Sequence, residues 1–305
     1  MSITAVQQRI KPWVLPFAML AGVLFHDTIS VLQWIVPYLI FTMLFITFCR
    51  VRPSELRFSA MMWILLCVQF VGSVLLFIAI QPINLALAQS VFICVFCPTA
   101  TAAPVVTGML GGNIGRVAAY SILVNMAVAL VAPFLFVWVG GAASGMTFFQ
   151  EFCSIAVKVA PLIVFPLVVA FALYYFARPV HDAVEKIQGI SFYLWAVSLI
   201  IVVGNAVSFI LAEPSTALPS MLAMAILAGV VCVVQFYIGR KVGRRYGDPV
   251  SAAQSLGQKN TVLAIWMALT YFDPVSSIGP AAYIVWQNGI NSAQLYFKMR
   301  KEKND

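Results

Sequence analysis

Long apolar segments separated by short loops recur along the whole chain, and they constrain its fold more than any other feature. The hydrocarbon core of a bilayer is about 30 Å thick, so a helix needs about 20 apolar residues to cross it. We count ten such segments, at Trp13–Phe25, Ile29–Cys49, Met61–Ile80, Leu85–Leu110, Val117–Val139, Cys153–Phe176, Ile190–Ala212, Pro219–Ile238, Val250–Phe272 and Ser277–Phe297. Charged residues make up only 9% of the chain, against about 25% in a soluble domain. The sequence therefore predicts an all-α membrane protein, with residues 1–305 in a single polytopic domain.

The basic residues follow the positive-inside rule, which places an excess of Lys and Arg in cytoplasmic loops. Ten spans with both termini in the cytoplasm put 16 of the 18 basic residues inside and none in an outer loop. The two exceptions, Lys158 and Lys259, lie within spans. We therefore interpret the net charge of +8 as topology and not as a nucleic-acid site. The predicted location is a bacterial inner membrane, with the lipid bilayer as a partner.

Lys259 is the residue of the apolar segments that most strongly indicates function. It follows Pro249, the start of its segment, by ten residues, which places it about 15 Å deep and near the bilayer midplane. A charge there costs roughly 3 kcal/mol or more, so we interpret Lys259 as part of a functional site. Lys158 lies close to the outer end of its span, where a lysine stem can reach the headgroups, and we expect it to snorkel.

Two segments are interrupted near the midplane. The fourth contains Cys97–Pro104, in which two prolines remove backbone donors and block helical carbonyls. The ninth contains the polar stretch Ser255–Asn260 at a similar depth. Each is the fourth segment of a set of five, and an odd number of spans per half makes the two halves inverted. Matching interruptions in inverted halves are typical of a midplane binding site in a secondary transporter. We place the two repeats at about 12–140 and 150–298.

These motifs resemble those of the bile acid:sodium symporter (BASS) family. The family's fourth helix carries a motif like C-P-G-G-T-A-S-N followed by K-G-N, and the chain has Cys97–Pro104 and then Gly111–Asn113. The family's ninth helix carries E-x-G-x-Q-N, where the chain has Ser255–Asn260. A W-H-N-like element of the tenth helix corresponds to Trp286–Asn288.

The resemblance implies a fold and a transport site. It implies ten helices in two inverted five-helix repeats, with helices four and nine unwound and crossing. Helices at about 61–139 and 219–297 would form a core domain, and helices at about 12–50 and 152–212 a panel domain. Substrate would bind between the domains, and two sodium ions behind the crossover. The crossover motif would comprise Pro98, Thr99, Thr101, Pro104 and Gly257.

Several residues of the chain differ from the family's residues at the two sodium sites. Ser255 stands where the family has a glutamate that helps to hold both ions, and Lys259 stands where it has a glutamine. Ala103 and Pro104 replace the family's Ser and Asn, and Val117 replaces one of two hydroxyl residues on helix five. By this resemblance the first sodium site would lack its ligands. The second sodium site would have the side chain of Lys259 in place of a neutral ligand. The candidate coupling-ion or ion-replacing residues are Lys259, Ser255, Gln258, Gln69 and Ser121.

No acidic side chain lies at the depth of Lys259. The acidic residues, all in loops, termini or span ends, are Asp27, Glu55, Glu151, Asp182, Glu185, Glu213, Asp248, Asp273, Glu302 and Asp305. Three states of Lys259 stay open: a neutral amine, an ammonium in the place of sodium among backbone carbonyls, and an ammonium paired with an anionic substrate. We favour the second state, in which the transporter is independent of sodium and is either a facilitator or coupled to protons through Lys259.

The predicted function is transport of a small organic anion, carboxylate- or sulfonate-like, by alternating access. Candidate substrate-binding residues are Asn260, Gln287, Asn288 and Lys259. We predict no cofactor, do not expect sodium to be used, and expect no nucleic acid. Cys94 and Cys97 form a C-x-x-C without a second pair or a nearby His, so we predict no metal site. The sequence leaves a homodimer open.

Three alternatives stay open beside this function. A sodium-coupled organic-anion symporter would show uptake that depends on sodium. A membrane sensor could use the same fold without translocation. An intramembrane enzyme could use Ser255 and Lys259 as nucleophile and base, because residues four apart share a helix face if the turn is helical. We expect no enzymatic activity.

Overall fold

The computed structural model of the protein describes residues 17–51, 53, 56–141, 147–187, 190–212 and 218–304, and over these residues its secondary structure is helical, without a strand. The first half contains α1 (residues 17–24), α2 (His26–Ile29), a 3-10 helix (Ser30–Ile35), α3 (Val36–Phe48), α4 (Ala60–Ile80), α5 (Leu85–Phe96), α6 (Ala103–Met109) and α7 (Ile114–Gly140). The second half contains α8 (Phe148–Phe176), α9 (Arg178–Lys186), α10 (Ile190–Ala212), α11 (Leu218–Arg244), α12 (Pro249–Gly257), α13 (Thr261–Tyr271), a 3-10 helix (Pro274–Ser277) and α14 (Ile278–Asn304). The predicted all-α class is confirmed.

Five helical stretches of the described residues are long and apolar enough to cross a membrane, and they are typical of a membrane-embedded protein. They are Val31–Phe48, Ala60–Ile80, Ile114–Gly140, Phe148–Phe176 and Leu218–Arg244. The fourth and ninth predicted segments do not qualify as single spans, because each is divided into two helices shorter than a bilayer is thick. The seventh predicted segment has the same bounds as α10.

The second predicted segment, Ile29–Cys49, is not one α-helix. Its first part is the 3-10 helix Ser30–Ile35, and the α-helix proper begins at Val36. Pro37 in the first turn of α3 has no backbone N–H, so the helical hydrogen bonds cannot continue through it from the preceding turn. Of the first predicted segment, residues 13–16 lie outside the described residues. So do three of the acidic residues, Glu55, Glu213 and Asp305.

Both predicted interruptions are confirmed, and the sequence explains where each helix stops. α5 ends at Phe96, two residues before Pro98, and α6 begins at Ala103 with Pro104 in its first turn. A proline is tolerated in a first turn because its missing N–H would have no helical partner there. α12 ends at Gly257, and the side chain of Asn260 caps the start of α13.

Close packing of α11 holds the broken helix α12–α13 in place. α11 packs against α12, α14 and α5, whereas α3 packs against α8 and α10. A Cβ added at Gly239 would lie 2.5 Å from the carbonyl oxygen of Ala252, so α11 and α12 approach backbone to backbone. A Cβ added at Gly257 would lie 2.5 Å from the ring of Phe236. These two glycines therefore fix the position of the end of α12.

Candidate functional site

The two helix breaks pair with each other. Thr99 and Lys259 form an isolated antiparallel bridge. The N–H of Ala100 donates to the carbonyl of Gln258 at 2.9 Å, and the N–H of Asn260 donates to the carbonyl of Pro98 at 2.8 Å. Irregular backbone survives at membrane depth only where protein or water satisfies its polar groups. Each break thus supplies the hydrogen bonds that the other one lacks, and we call this paired region the crossover.

Side chains reinforce the crossover from both strands of the bridge. The hydroxyl of Thr99 donates to the carbonyl of Ser255 at 2.6 Å. The thiol of Cys97 donates to the carbonyl of Asn260 at 3.1 Å. The amide oxygen of Asn260 accepts from the N–H of Leu263 at 3.3 Å. Asn260, predicted to bind substrate, is therefore committed to the helix cap through this oxygen.

Gln69 ties α4 to the broken end of α5. Its amide nitrogen donates to the carbonyls of Phe96 at 2.8 Å and Cys97 at 3.1 Å, and its amide oxygen accepts from the hydroxyl of Tyr120 at 3.1 Å. The side chain is fully buried. Gln69 is one of the predicted coupling-ion residues, and its polar atoms here hold the helix break together.

Gln287 of α14 holds the backbone of Lys259 from the other side. Its amide oxygen accepts from the N–H of Lys259 at 2.9 Å, and its amide nitrogen donates to the carbonyl of Lys259 at 3.3 Å. One helical turn away, the hydroxyl of Tyr283 donates to the carbonyl of Gly257 at 2.7 Å and accepts from the side chain of Gln235 at 3.0 Å. α14 and α11 therefore position the stretch that carries Lys259.

We expect Gln287→Leu to destabilise the protein by about 1–3 kcal/mol, because it leaves the buried N–H of Lys259 without its partner, whereas the carbonyl of Lys259 keeps the N–H of Thr261 at 3.0 Å. The neighbouring substitution Asn288→Leu is the matched control. The amide of Asn288 donates only to the carbonyl of Ile284 in its own helix, at 2.7 Å. Thermal unfolding of both variants in nanodiscs measures the difference. Equal shifts for the two variants would contradict this role of Gln287.

The amino group of Lys259 is buried and has no hydrogen-bond partner among the described residues. Its side chain is 1% exposed. The thiols of Cys97, Cys94 and Cys232 lie near it. No described carboxylate forms an ion pair with it. The carbonyl contacts that we expected for an ammonium in the place of sodium are therefore not formed among the described residues.

Of the remaining candidate residues, two lie at the crossover and two make their hydrogen bonds within α7 or α14. Ser255 and Gln258 are buried at the crossover, and the amide oxygen of Gln258 is without a partner among the described residues. Ser121 is buried on α7, where its backbone carbonyl accepts from Asn125 at 2.7 Å. Asn288 bonds within α14, so only its neighbour Gln287 reaches Lys259.

The proposed Ser–Lys pair does not have the geometry it needs. α12 ends at Gly257, before Lys259, so Ser255 and Lys259 do not share the face of a continuous helix. The amino group of Lys259 also makes no hydrogen bond to Ser255. Lys158, by contrast with Lys259, is exposed on the surface of α8, as a snorkelling side chain requires.

Sequence reasoning missed four polar residues that support or flank the site. Tyr283 and Gln235 form the hydrogen-bonded pair behind Gly257. Gln254 of α12 and Asn291 of α14 bond to each other at 2.9 Å. The available signal was the presence of amide and phenol groups in otherwise apolar spans, because such groups usually face protein rather than lipid.

A cluster of candidate metal ligands lies on α9, away from the crossover. His181, Asp182 and Glu185 are the one such group among the described residues whose ligand atoms lie within 4.8 Å of one another. Arg178 already forms an ion pair with Asp182 at 3.4 Å. That fixed cation opposes a metal ion, and the cluster carries no functional conclusion.

No family model matches the chain. No curated protein matches it either.

Proposed function

We propose that the protein is a secondary transporter that moves a small organic anion, carboxylate- or sulfonate-like, across the membrane by alternating access. The observation that carries the proposal is a buried lysine at the pairing of two broken helices, with no acidic partner among the described residues. Broken helices that meet near the midplane are typical of substrate sites in secondary transporters. A buried ionisable residue there marks a substrate or ion pathway.

The charge of Lys259 favours an anion as substrate. Among the described residues no carboxylate neutralises it, so the counter-charge would come with the ligand. Asn260 and Gln287 lie beside it, and they would bond to the ligand only on releasing the backbone groups that they hold here. Because Lys259 is almost fully buried, substrate would reach it only in another conformation of the transport cycle. That requirement fits alternating access between a core and a panel domain.

Lys259 would also replace the coupling cation. Its nitrogen brings a positive charge to the crossover without an ion being bound, and Ser255 offers no carboxylate to attract sodium. The proposed architecture is the ten-helix inverted repeat that the resemblance to the bile acid:sodium symporter family implies, in an inner membrane with both termini cytoplasmic. Ordinary sodium coupling is the alternative that the first experiment separates from this proposal.

Thermal unfolding of the purified protein in sodium chloride and in potassium chloride of equal ionic strength tests the proposal. A ligand that binds only the folded state raises its stability by mass action. We expect the same unfolding temperature in both salts, and a higher one with at least one member of a panel of carboxylates and sulfonates. Stabilisation by sodium over potassium would contradict the proposal and favour a sodium symporter. If sodium has no effect and no anion of the panel raises the unfolding temperature, the proposed class of substrate is contradicted.

A further inference from the structure

Polar side chains line the seam between α12 and α14 from the crossover to one end of the molecule. The two helices run antiparallel, so their contacts follow in register. Gln287 bonds to the backbone of Lys259 at 2.9 Å. One turn further along, Gln254 donates to Asn291 at 2.9 Å.

The seam opens into a cavity one further turn away. The cavity has a volume of about 440 Å³ and is lined by Leu110, Arg240, Val250, Gln294, Phe297 and Lys298. Val250 lies four residues before Gln254 on α12, and Gln294 lies three residues after Asn291 on α14. The cavity, the Gln254–Asn291 pair and the crossover are therefore successive levels of one seam.

Buried polar atoms along this seam have no partner among the described residues. The amide oxygen of Gln254 and the amide nitrogen of Asn291 lie in the seam itself, and the amide oxygen of Gln258 and the amino group of Lys259 lie at the crossover where the seam ends. Each of these side chains is more than nine-tenths buried. Gln254 offers an acceptor and Asn291 a donor at the same level, and a water molecule can bond to both. Buried polar groups in proteins are normally satisfied, by protein or by ordered water.

We propose that the seam between α12 and α14 is a hydrated inlet, through which Lys259 exchanges protons with water at the basic end of the molecule. The basic end carries the cavity and, beyond it, Arg244, Arg245 and Arg300, and the positive-inside rule makes it the cytoplasmic end. The role of the proton rests on the proposed function. Hydration of the seam does not, and it can be tested without transport.

The charges at the cavity select what enters the inlet. Arg240 donates to Gln294 at 2.8 Å, and Lys298 donates to the carbonyl of Met109 at 3.0 Å, so both cations are held at the cavity wall. Their field repels metal cations and admits water and small anions. An inlet of this kind gives Lys259 access to protons while keeping sodium away from the crossover.

The groups that titrate around Lys259 are thiols and a phenol. The thiols are those of Cys94 on α5, Cys97 just after the end of α5, and Cys232 on α11. The phenol is that of Tyr283 on α14, whose hydroxyl donates to the carbonyl of Gly257. Among the described residues no carboxylate pairs with Lys259. Water in the inlet is therefore the partner that the inference assigns to its proton.

Cysteine accessibility in nanodiscs tests the inlet. In a background with Cys67→Ser and Cys153→Ser, Gln254→Cys and Asn291→Cys are treated with an anionic methanethiosulfonate, and modification is followed by intact mass. Ala264→Cys is the matched control, because Ala264 of α13 is as buried as Gln254 but packs in the apolar core. We expect the two seam positions to react at least about tenfold faster than the control, because the reagent reaches only hydrated sites.

A second measurement tests the route. The ratio of the rates with the anionic and a cationic methanethiosulfonate, measured at low salt, should fall several-fold when Arg240→Gln is added. Arg244→Gln, one turn further along α11, should leave the ratio nearly unchanged. Folding of each variant is checked by gel filtration. If one of the two seam cysteine variants does not fold, the other is enough for the test. Seam cysteines that react no faster than Ala264→Cys, or a ratio insensitive to Arg240, would overturn the inlet. Neither result depends on the substrate, so failure here is distinct from failure of the transport proposal.

Discussion

We expect Lys259→Met to raise the thermal stability of the folded protein while abolishing transport. The amino group is buried and has no hydrogen-bond partner among the described residues, and it contributes no ion pair there. A buried polar group without a partner costs about 1–3 kcal/mol in proteins, and methionine fills a similar volume without that group. The stability gain should therefore be of that size, in the opposite direction to most core substitutions.

Lys158→Met is the matched control for this prediction. Lys158 is also a lysine within an apolar helix, but its side chain is exposed. We expect its substitution to leave both the unfolding temperature and anion uptake nearly unchanged. The measurements are thermal unfolding in nanodiscs and uptake into proteoliposomes of whichever anion stabilises the wild type. Strong destabilisation by Lys259→Met would show instead that the amino group holds the crossover together.

The double substitution Ser255→Glu with Lys259→Gln should create a protein that sodium stabilises. It puts a carboxylate and a neutral amide at the crossover, where Gln258 already has an unpartnered buried amide oxygen. Carbonyl and carboxylate oxygens are the groups that replace the hydration shell of an alkali cation. At a sodium concentration 100 times the dissociation constant, the expected stabilisation is about 2.7 kcal/mol.

The control for the double substitution is Lys259→Gln alone. It removes the fixed positive charge without supplying a carboxylate, so we expect little or no difference between sodium and potassium. Unfolding temperatures of wild type, single and double variants in the two salts, at equal ionic strength, give the comparison. A double variant that remains indifferent to sodium would mean that Ser255 and Lys259 do not occupy a former ion site.

Adjacent residues show where sequence reasoning reached its limit. Gln287 and Asn288 were both assigned to the substrate site, yet Gln287 bonds to the backbone of Lys259 and Asn288 bonds within its own helix. Neighbouring positions on a helix point about 100° apart. Which one reaches the crossover depends on the rotation of α14 against α12, and that rotation is set by packing. Gln69 was likewise identified as important, but its partners on α5 could not be inferred.

The sequence by itself determined the all-α membrane class, the two helix breaks and the presence of a lysine within an apolar segment without an acid at the same depth. These properties follow from hydropathy, from prolines and from polar residues, all of which act within one segment. The tertiary structure alone decided that the two breaks pair as an antiparallel bridge, and that no described residue forms a hydrogen bond with the amino group of Lys259. Such pairings join residues far apart in the chain, and they are fixed only when the helices pack. Cys97 and Asn260, for example, have a sequence separation of 163.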